Sequence, residues 1–399
     1  MRIGMLADTY KPHISGVTNH ISLNKQFMQA AGHDVFVFTF GDLEYIEEEE
    51  NVIRSVGLPL VDTGFYVNLA YNKQARDILK TMDVLHVHHP FVSGPLAQRY
   101  GRLYGIPVIF TNHTRYDLYY QAYLPHFPEE LGENLLHTYM PRFCERCEMV
   151  IAPSAGMREV LRTFGVETPV EVVPNGVDIR PFQDCTRKID RAQFGFDAAD
   201  IVLIFVGRMA PEKNLKFLLQ AFAGVHEAYP KARLLLVGGG PDLEKHQNWV
   251  KGVGLEAAVH FAGIIPYADI PAYVHMADAF VTASVTEVHP LTLIEAMAAG
   301  LPVLGIASPG VGDIVEDGVN GFLSPNDLAA FTAKLARLVS GHELREKLSQ
   351  SASKSAQVYA IERTSQILLE KYRSVCEENE KEGSKLRAGF DQILDIITK

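Results

Sequence analysis

Short apolar runs alternate with amphipathic stretches along nearly the whole chain, and this alternation restricts the fold more than any other feature. Residues 2–7, 34–40, 84–88, 107–111, 149–153 and 170–174 read as buried strands. Between them, 17–31, 69–82, 94–104 and 154–164 carry helical spacing. The pattern restarts after residue 200, with strands at 200–207, 233–240, 258–263, 279–284 and 302–307. Strands that alternate with helices form βαβ units, whose parallel sheets are covered on both faces. Two such series predict two doubly wound, Rossmann-like α/β domains, and a length of 399 residues is too great for one core. The longest polar stretch without periodicity, 175–195, separates the series. Domains are therefore expected at 1–178 and 179–372, facing each other across a cleft suited to a small molecule.

From about residue 358 the chain reads as helix. Leu386, Phe390, Ile393, Leu394 and Ile397 form an apolar stripe that must bury itself. The protein's own N-terminal domain, a second subunit or a membrane surface could each cover it.

Charge removes some functions from consideration. The net charge of −11 argues against nucleic acid, whose phosphates call for a basic surface. Residues 1–180 alone hold 15 Lys plus Arg against 21 Asp plus Glu. Attraction to an anionic membrane would thus need a local patch. The acidic run of Glu44 and Glu47 to Glu50 reads as a solvated loop. The first ten residues read as a strand and turn without a signal-like apolar stretch, and no segment has the length of a membrane span. Cytoplasmic location is the expectation. Cys144 and Cys147 lack a second pair or nearby histidines, so they read as ordinary helix positions.

Five segments carry possible chemistry. After the first strand, Gly16 precedes a helix beginning near Val17, whose N-terminus offers N–H groups to an anion. Arg208 and Lys213 follow strand 200–207 at a helix expected to start around Pro211. Such a pair grips a diphosphate, or else is two surface cations with one paired to Glu212. Gly238, Gly239 and Gly240 are a phosphate loop or a tight turn. His113 follows strand 107–111, with Tyr116, Asp117, Tyr119, Tyr120 and Tyr123 beside it, which suits an acceptor pocket; His86, His88 and His89 read as structural. Glu287 and Glu295 flank a strand-to-helix junction, with Pro290 where a helix can start. That edge of an open α/β sheet is where ligands bind.

Gly16-Val17, Asn112-His113-Thr114, Pro174 to Asp178, Gly207-Arg208 with Lys213, and the E-x7-E-A-M-A-A-G-x-P-V block over 287–303 occur in this order. Together they resemble the family-4 retaining glycosyltransferases of the GT-B fold, over Met1 to about Tyr372. The resemblance implies that the final helix, about 373–399, crosses back onto the N-terminal domain. It implies a nucleotide-sugar donor on the C-terminal domain and an acceptor on the N-terminal side. Arg208 and Lys213 would hold the diphosphate, Glu295 the ribose and Glu287 the donor sugar. Backbone N–H groups around His289, Leu291 and Thr292 would complete the sugar pocket. Gly16 would approach the diphosphate, and His113 the sugar near its reacting carbon. No carboxylate nucleophile matches, so same-face attack is implied, with no metal and no other cofactor. Two departures stand out: Val288-His289 where the family often has Gly-Phe, and the single glycine Gly16 where many members have two.

The stretch from His113 to Pro125 further resembles bacterial diacylglycerol glucosyltransferases. It implies glucose transfer from UDP-glucose to a membrane lipid by a peripheral protein, with Tyr116, Asp117 and Tyr120 binding the acceptor. Arg99 to Arg102 and Arg142 to Arg146, with Tyr119, Tyr120, Tyr123 and Phe127, would face the membrane. The competing readings are a soluble or cell-envelope acceptor and a silent nucleotide-sugar binding protein.

Overall fold

The computed structural model describes the chain except residues 14, 43, 44, 46, 48, 60–65, 119–128 and 398–399; for residues 67, 129 and 382–397 it describes the backbone alone. Tyr119, Tyr120, Tyr123, Phe127 and the apolar stripe's side chains therefore lie outside the described residues.

Seven parallel strands build the N-terminal sheet, in the spatial order Val52–Val56, Asp34–Gly41, Arg2–Leu6, Val84–Val87, Val108–Thr111, Met149–Ala152, Val170–Val172. Six parallel strands build the second, in the order Val259–Gly263, Ala232–Val237, Ile201–Val206, Ala279–Val281, Val303–Ile306, Gly321–Ser324. Both sheets grow one way from their first strand and then reverse beside it. The chain winds right-handed over one face and then the other, which buries both faces. Their strands are accordingly near-continuous apolar runs, such as Ile201–Val206 and Ala232–Val237.

Each reversal opens a crevice at the strands' carboxyl ends. In the first sheet it lies between the loops leaving Leu6 and Val87; in the second, between those leaving Val206 and Val281. All of the candidate donor residues stand on or beside these four exits.

Helices Gly16–Ala30 and Ile361–Ile397 cover one face of the first sheet. Leu368, Leu369, Tyr372 and Val375 join Ile3, Met5, Ile21 and Met28 in one apolar cluster. Ser365 Oγ donates to Asn24 Oδ1 at 3.0 Å, and Tyr372 Oη lies 2.6 Å from His86 Nδ1. The final helix thus crosses back, and it reaches this packing before the expected residue 373. Among the described residues, no helix is long and apolar enough to cross a membrane.

Three local expectations change. Strands Val52–Val56 and Gly321–Ser324 were not legible, being short edge segments with too few apolar residues to show a period. Within the acidic run, of which Glu44 and Glu48 lie outside the described residues, Glu47 and Glu49 are not simply solvated. Glu49 accepts from Tyr10 Oη (2.9 Å), Lys11 (2.8 Å) and the buried Lys25 (2.7 Å), while Glu47 pairs with Arg54 at 2.6 Å. Finally, Pro211–Lys213 is only a 3-10 turn. Asn214 has φ +51°, outside helical space, so the α-helix begins at Leu215.

Candidate functional site

Strand Ile201–Val206 delivers Gly207 and the exposed Arg208 to the cleft. The glycine run beside them has a packing role: Gly238 has φ +133°, and a Cβ there would stand 1.9 Å from the Gly207 carbonyl oxygen. Met209 N–H donates to the Gly239 carbonyl at 2.8 Å, tying the two loops together. The glycines thus allow backbone to rest on backbone behind Arg208.

Lys213 closes that loop and reaches across to Glu287. Lys213 Nζ donates to Glu287 Oε1 at 2.6 Å, with side-chain exposures of 22% and 17%. The pair therefore links the two strongest sequence signals. Glu287 is braced from behind, where its carbonyl accepts from Gly310 N–H at 3.1 Å. A Cβ on Gly310 would stand 2.2 Å from the Val288 carbonyl, so only glycine permits the contact.

Helix Leu291–Ala298 follows, capped at Pro290 without any side-chain hydrogen bond. Its first N–H groups can therefore serve an anion or a sugar oxygen. Leu291 is buried and Thr292 half-buried. Glu295 lies one turn in, buried, and accepts from Tyr267 Oη at 2.7 Å. Burial pushes its carboxyl up to about 7, partly opposed by that hydrogen bond.

The N-terminal domain supplies the opposite wall. Ser15 caps helix Gly16–Ala30 by accepting from Thr18 N–H at 3.1 Å. A Cβ on Gly16 would meet no described atom within 4 Å outside its own chain neighbours and helix backbone. His13 of the same loop lies close enough to Arg208 for its charge to help lower the histidine pKa, after the larger effect of burial. The two domains also touch directly: Val288 packs into the N-terminal apolar cluster, and Gly156 N–H donates to Asp313 Oδ2 at 2.7 Å.

His113 stands after Val108–Thr111, and its Nε2 is 3.0 Å from His88 Nδ1. Burial and neighbouring histidines hold its pKa well below the usual imidazole range, so the ring is neutral. His289 faces this group from the other domain, its pKa pushed down to about 3 chiefly by burial. Among the acceptor candidates, Tyr116 packs edge-on against Phe91, with centroids 5.0 Å apart. Asp117 is already engaged by Arg115, in contacts of 2.9 and 2.5 Å. Its carboxylate meets an acceptor only by sharing that guanidinium.

Residues 14–180 match the family model described as Glycosyltransferase Family 4, and residues 186–355 match glycosyl transferases group 1. A D-inositol 3-phosphate glycosyltransferase of Frankia alni is 31% identical over 73% of this chain and 74% of its own. The chain belongs to the family-4 glycosyltransferases. Two α-monoglucosyldiacylglycerol synthases are also similar. That of Acholeplasma laidlawii is 28% identical over 96% of this chain and all of its own length; that of Streptococcus pneumoniae is 29% identical over 89% and 83%. Among solved structures, the sucrose-phosphate synthase of Thermosynechococcus elongatus superposes with a TM-score of 0.75 at 21% identity, covering 94% of this chain and 98% of that one. Anabaena HepE, solved in complex with UDP-glucose, gives 0.73 at 20%, over 94% and 100%. The fold is GT-B, and the enzyme is a nucleotide-sugar-dependent hexosyltransferase.

Several residues of this glycosyltransferase's cleft carried no readable signal. Tyr267 reaches Glu295 from 28 residues away. His20 and His88, the first unremarked and the second read as structural, pack directly around His113.

Proposed function

We propose that the enzyme transfers glucose from UDP-glucose to diacylglycerol at a membrane surface, with retention of configuration. The similarity to the α-monoglucosyldiacylglycerol synthase of Acholeplasma laidlawii, over 96% of this chain and all of that one, carries this reading. The complexes of HepE with UDP-glucose support the donor. Arg208 and Lys213 hold the diphosphate and neutralise the charge that grows as the nucleoside diphosphate departs. On arrival the diphosphate takes over Lys213, which releases Glu287 to accept from donor-sugar hydroxyls. Ionised Glu295 accepts from the ribose hydroxyls. N–H groups around His289, Leu291 and Thr292 hold the sugar, while the helix opening at Gly16 faces the diphosphate.

His113, neutral and close to the reacting carbon, accepts or donates a hydrogen bond without carrying charge. The acceptor hydroxyl attacks from the face the phosphate leaves, and the departing phosphate oxygen takes its proton. The step draws on no metal and no further cofactor. Tyr116 and Asp117 line the acceptor side. Exposed Arg99, Arg102 and Leu103 on helix Ser93–Tyr104, with Phe91 beside it, form the membrane-facing patch of this otherwise acidic chain.

Incubation with UDP-glucose and diacylglycerol vesicles should yield a glucolipid, identified by mass spectrometry. Hydrolysis or transfer to a soluble acceptor with no glucolipid would reject the lipid acceptor. The Frankia relative favours a second reading, in which the acceptor is a soluble sugar or polyol; it predicts full activity without vesicles.

A further inference from the structure

Helix Gly16–Ala30 and the exits of two neighbouring strands converge on three imidazoles. His20, His88 and His113 each place one ring nitrogen so that the three lie within 4.8 Å of one another. The His20 and His113 ring centroids are 4.7 Å apart, and those of His88 and His113 are 5.2 Å apart. Among the described residues, neither a carboxylate nor a backbone carbonyl bonds any of the six ring nitrogens. His88 touches only His113 by hydrogen bond, and its Nε2 is buried without a partner. Asn24 approaches both His20 ring nitrogens at a long 3.4 Å. Buried nitrogens left this poorly satisfied are few in folded proteins and call for a ligand or another stated cause.

We propose that His20, His88 and His113 bind one late transition-metal ion of the Zn²⁺ class, and that the bound ion shuts the active site by taking His113 away from the donor sugar. Three neutral imidazoles suit Zn²⁺, Cu²⁺ or Ni²⁺; Mg²⁺ and Ca²⁺ take oxygen ligands, which this group lacks. An ion about 2.0–2.1 Å from each nitrogen needs them roughly 3–4 Å apart. The His88–His113 pair already stands at 3.0 Å, so a small swing of the loosely held His20 ring completes the set. On binding, each imidazole holds its single proton on the nitrogen that does not ligate, so the ring that donates the His88–His113 hydrogen bond changes tautomer, its proton moving to its other nitrogen. One hydrogen bond is exchanged for metal–nitrogen bonds, and no proton is released. Burial keeps all three rings neutral, with His20 pushed down to about 4, so protons do not compete for the site near neutral pH. His289, whose buried Nδ1 lacks a partner among the described residues, borders the site from the facing domain. The inhibitory consequence rests on His113 meeting the donor sugar; the binding does not.

The test uses full-length protein freed of metal with a chelator. Co²⁺ should bind at one equivalent with visible ligand-field absorption, Zn²⁺ should displace it, and Mg²⁺ should do neither. His20→Asn and His88→Gln, each confirmed folded by cooperative thermal unfolding, should weaken Zn²⁺ binding by more than about tenfold. In the wild type, Zn²⁺ should raise the apparent KM for the nucleotide sugar, and chelator should reverse this; His20→Asn should resist it. Absence of the Co²⁺ band, or its persistence unchanged in both variants, would overturn the site. Metal binding without any effect on donor KM would overturn the inhibitory role. Because the titration needs no substrate, a wrong donor or acceptor would leave its result untouched.

Discussion

Lys213→Ala tests whether the ion pair with Glu287 is a stability device or a donor switch. Its exposures of 22% and 17% place it between the surface regime, worth about 0–1 kcal/mol, and the buried regime, where removing one partner costs about 3–5 kcal/mol. A loss of about 1–3 kcal/mol in unfolding free energy is expected. The effect on the reaction should be larger. A charge-assisted hydrogen bond to the diphosphate is worth about 1.5–3 kcal/mol, or roughly 10- to 150-fold in nucleotide affinity. Removing a group aimed at charge that develops in the transition state costs about 10²–10³ in kcat. The single variant also leaves Glu287 as an uncompensated negative charge facing the incoming phosphates. Lys213→Ala combined with Glu287→Gln should therefore bind nucleotide better than Lys213→Ala alone, although it has lost more native groups. Calorimetric titration with UDP and initial rates of transfer give both numbers. If Lys213→Ala turned over like the wild type, the diphosphate role would be wrong; if the double variant bound no better than the single, the switch would be wrong.

Two further outcomes follow from the same geometry. The carboxyl of Glu295 has a folded pKa of about 7 against 4.5 for an unperturbed glutamate, so the folded state holds the extra proton between those values. The stability associated with that proton is complete below about 4.5 and is lost as pH rises to about 7, a drop of about 3 kcal/mol. Nucleotide affinity should run the other way, rising through pH 7 as the carboxylate forms, and Glu295→Gln should flatten both profiles; a wild-type profile that is already flat would contradict the assignment. Gly310→Ala places a methyl group 2.2 Å from the Val288 carbonyl and must shift the loop that carries Glu287. It should lower stability by about 1–3 kcal/mol and weaken nucleotide binding, and an alanine variant matching the wild type in both would refute the bracing contact.

Much of this organisation was visible in the chain. The apolar runs located the central strands because a strand buried on both faces must be apolar throughout, as Ile201–Val206 is. The spacing of Glu287 and Glu295 around Pro290 placed one acid in a loop and the other one turn into a helix, where both stand. Edge strand Val52–Val56 was invisible because half of its surface faces solvent and its pattern is diluted. The acidic run deceived for a different reason: Glu49 draws in Lys25, which lies 24 residues before it on another element.

The sequence by itself determined which segments become strands and helices and which loops carry charge, since these follow from local periodicity and turn chemistry. Only the tertiary structure decided how those loops meet. Lys213 and Glu287 are 74 residues apart, yet strand Ile201–Val206 lies directly beside Ala279–Val281, so their exits open into one crevice. His20, His88 and His113 come together because helix Gly16–Ala30 runs past two adjacent strand ends. Such neighbours depend on strand order and on the crossing of helices, and the burial that shifts their protons exists only once both sheets are covered.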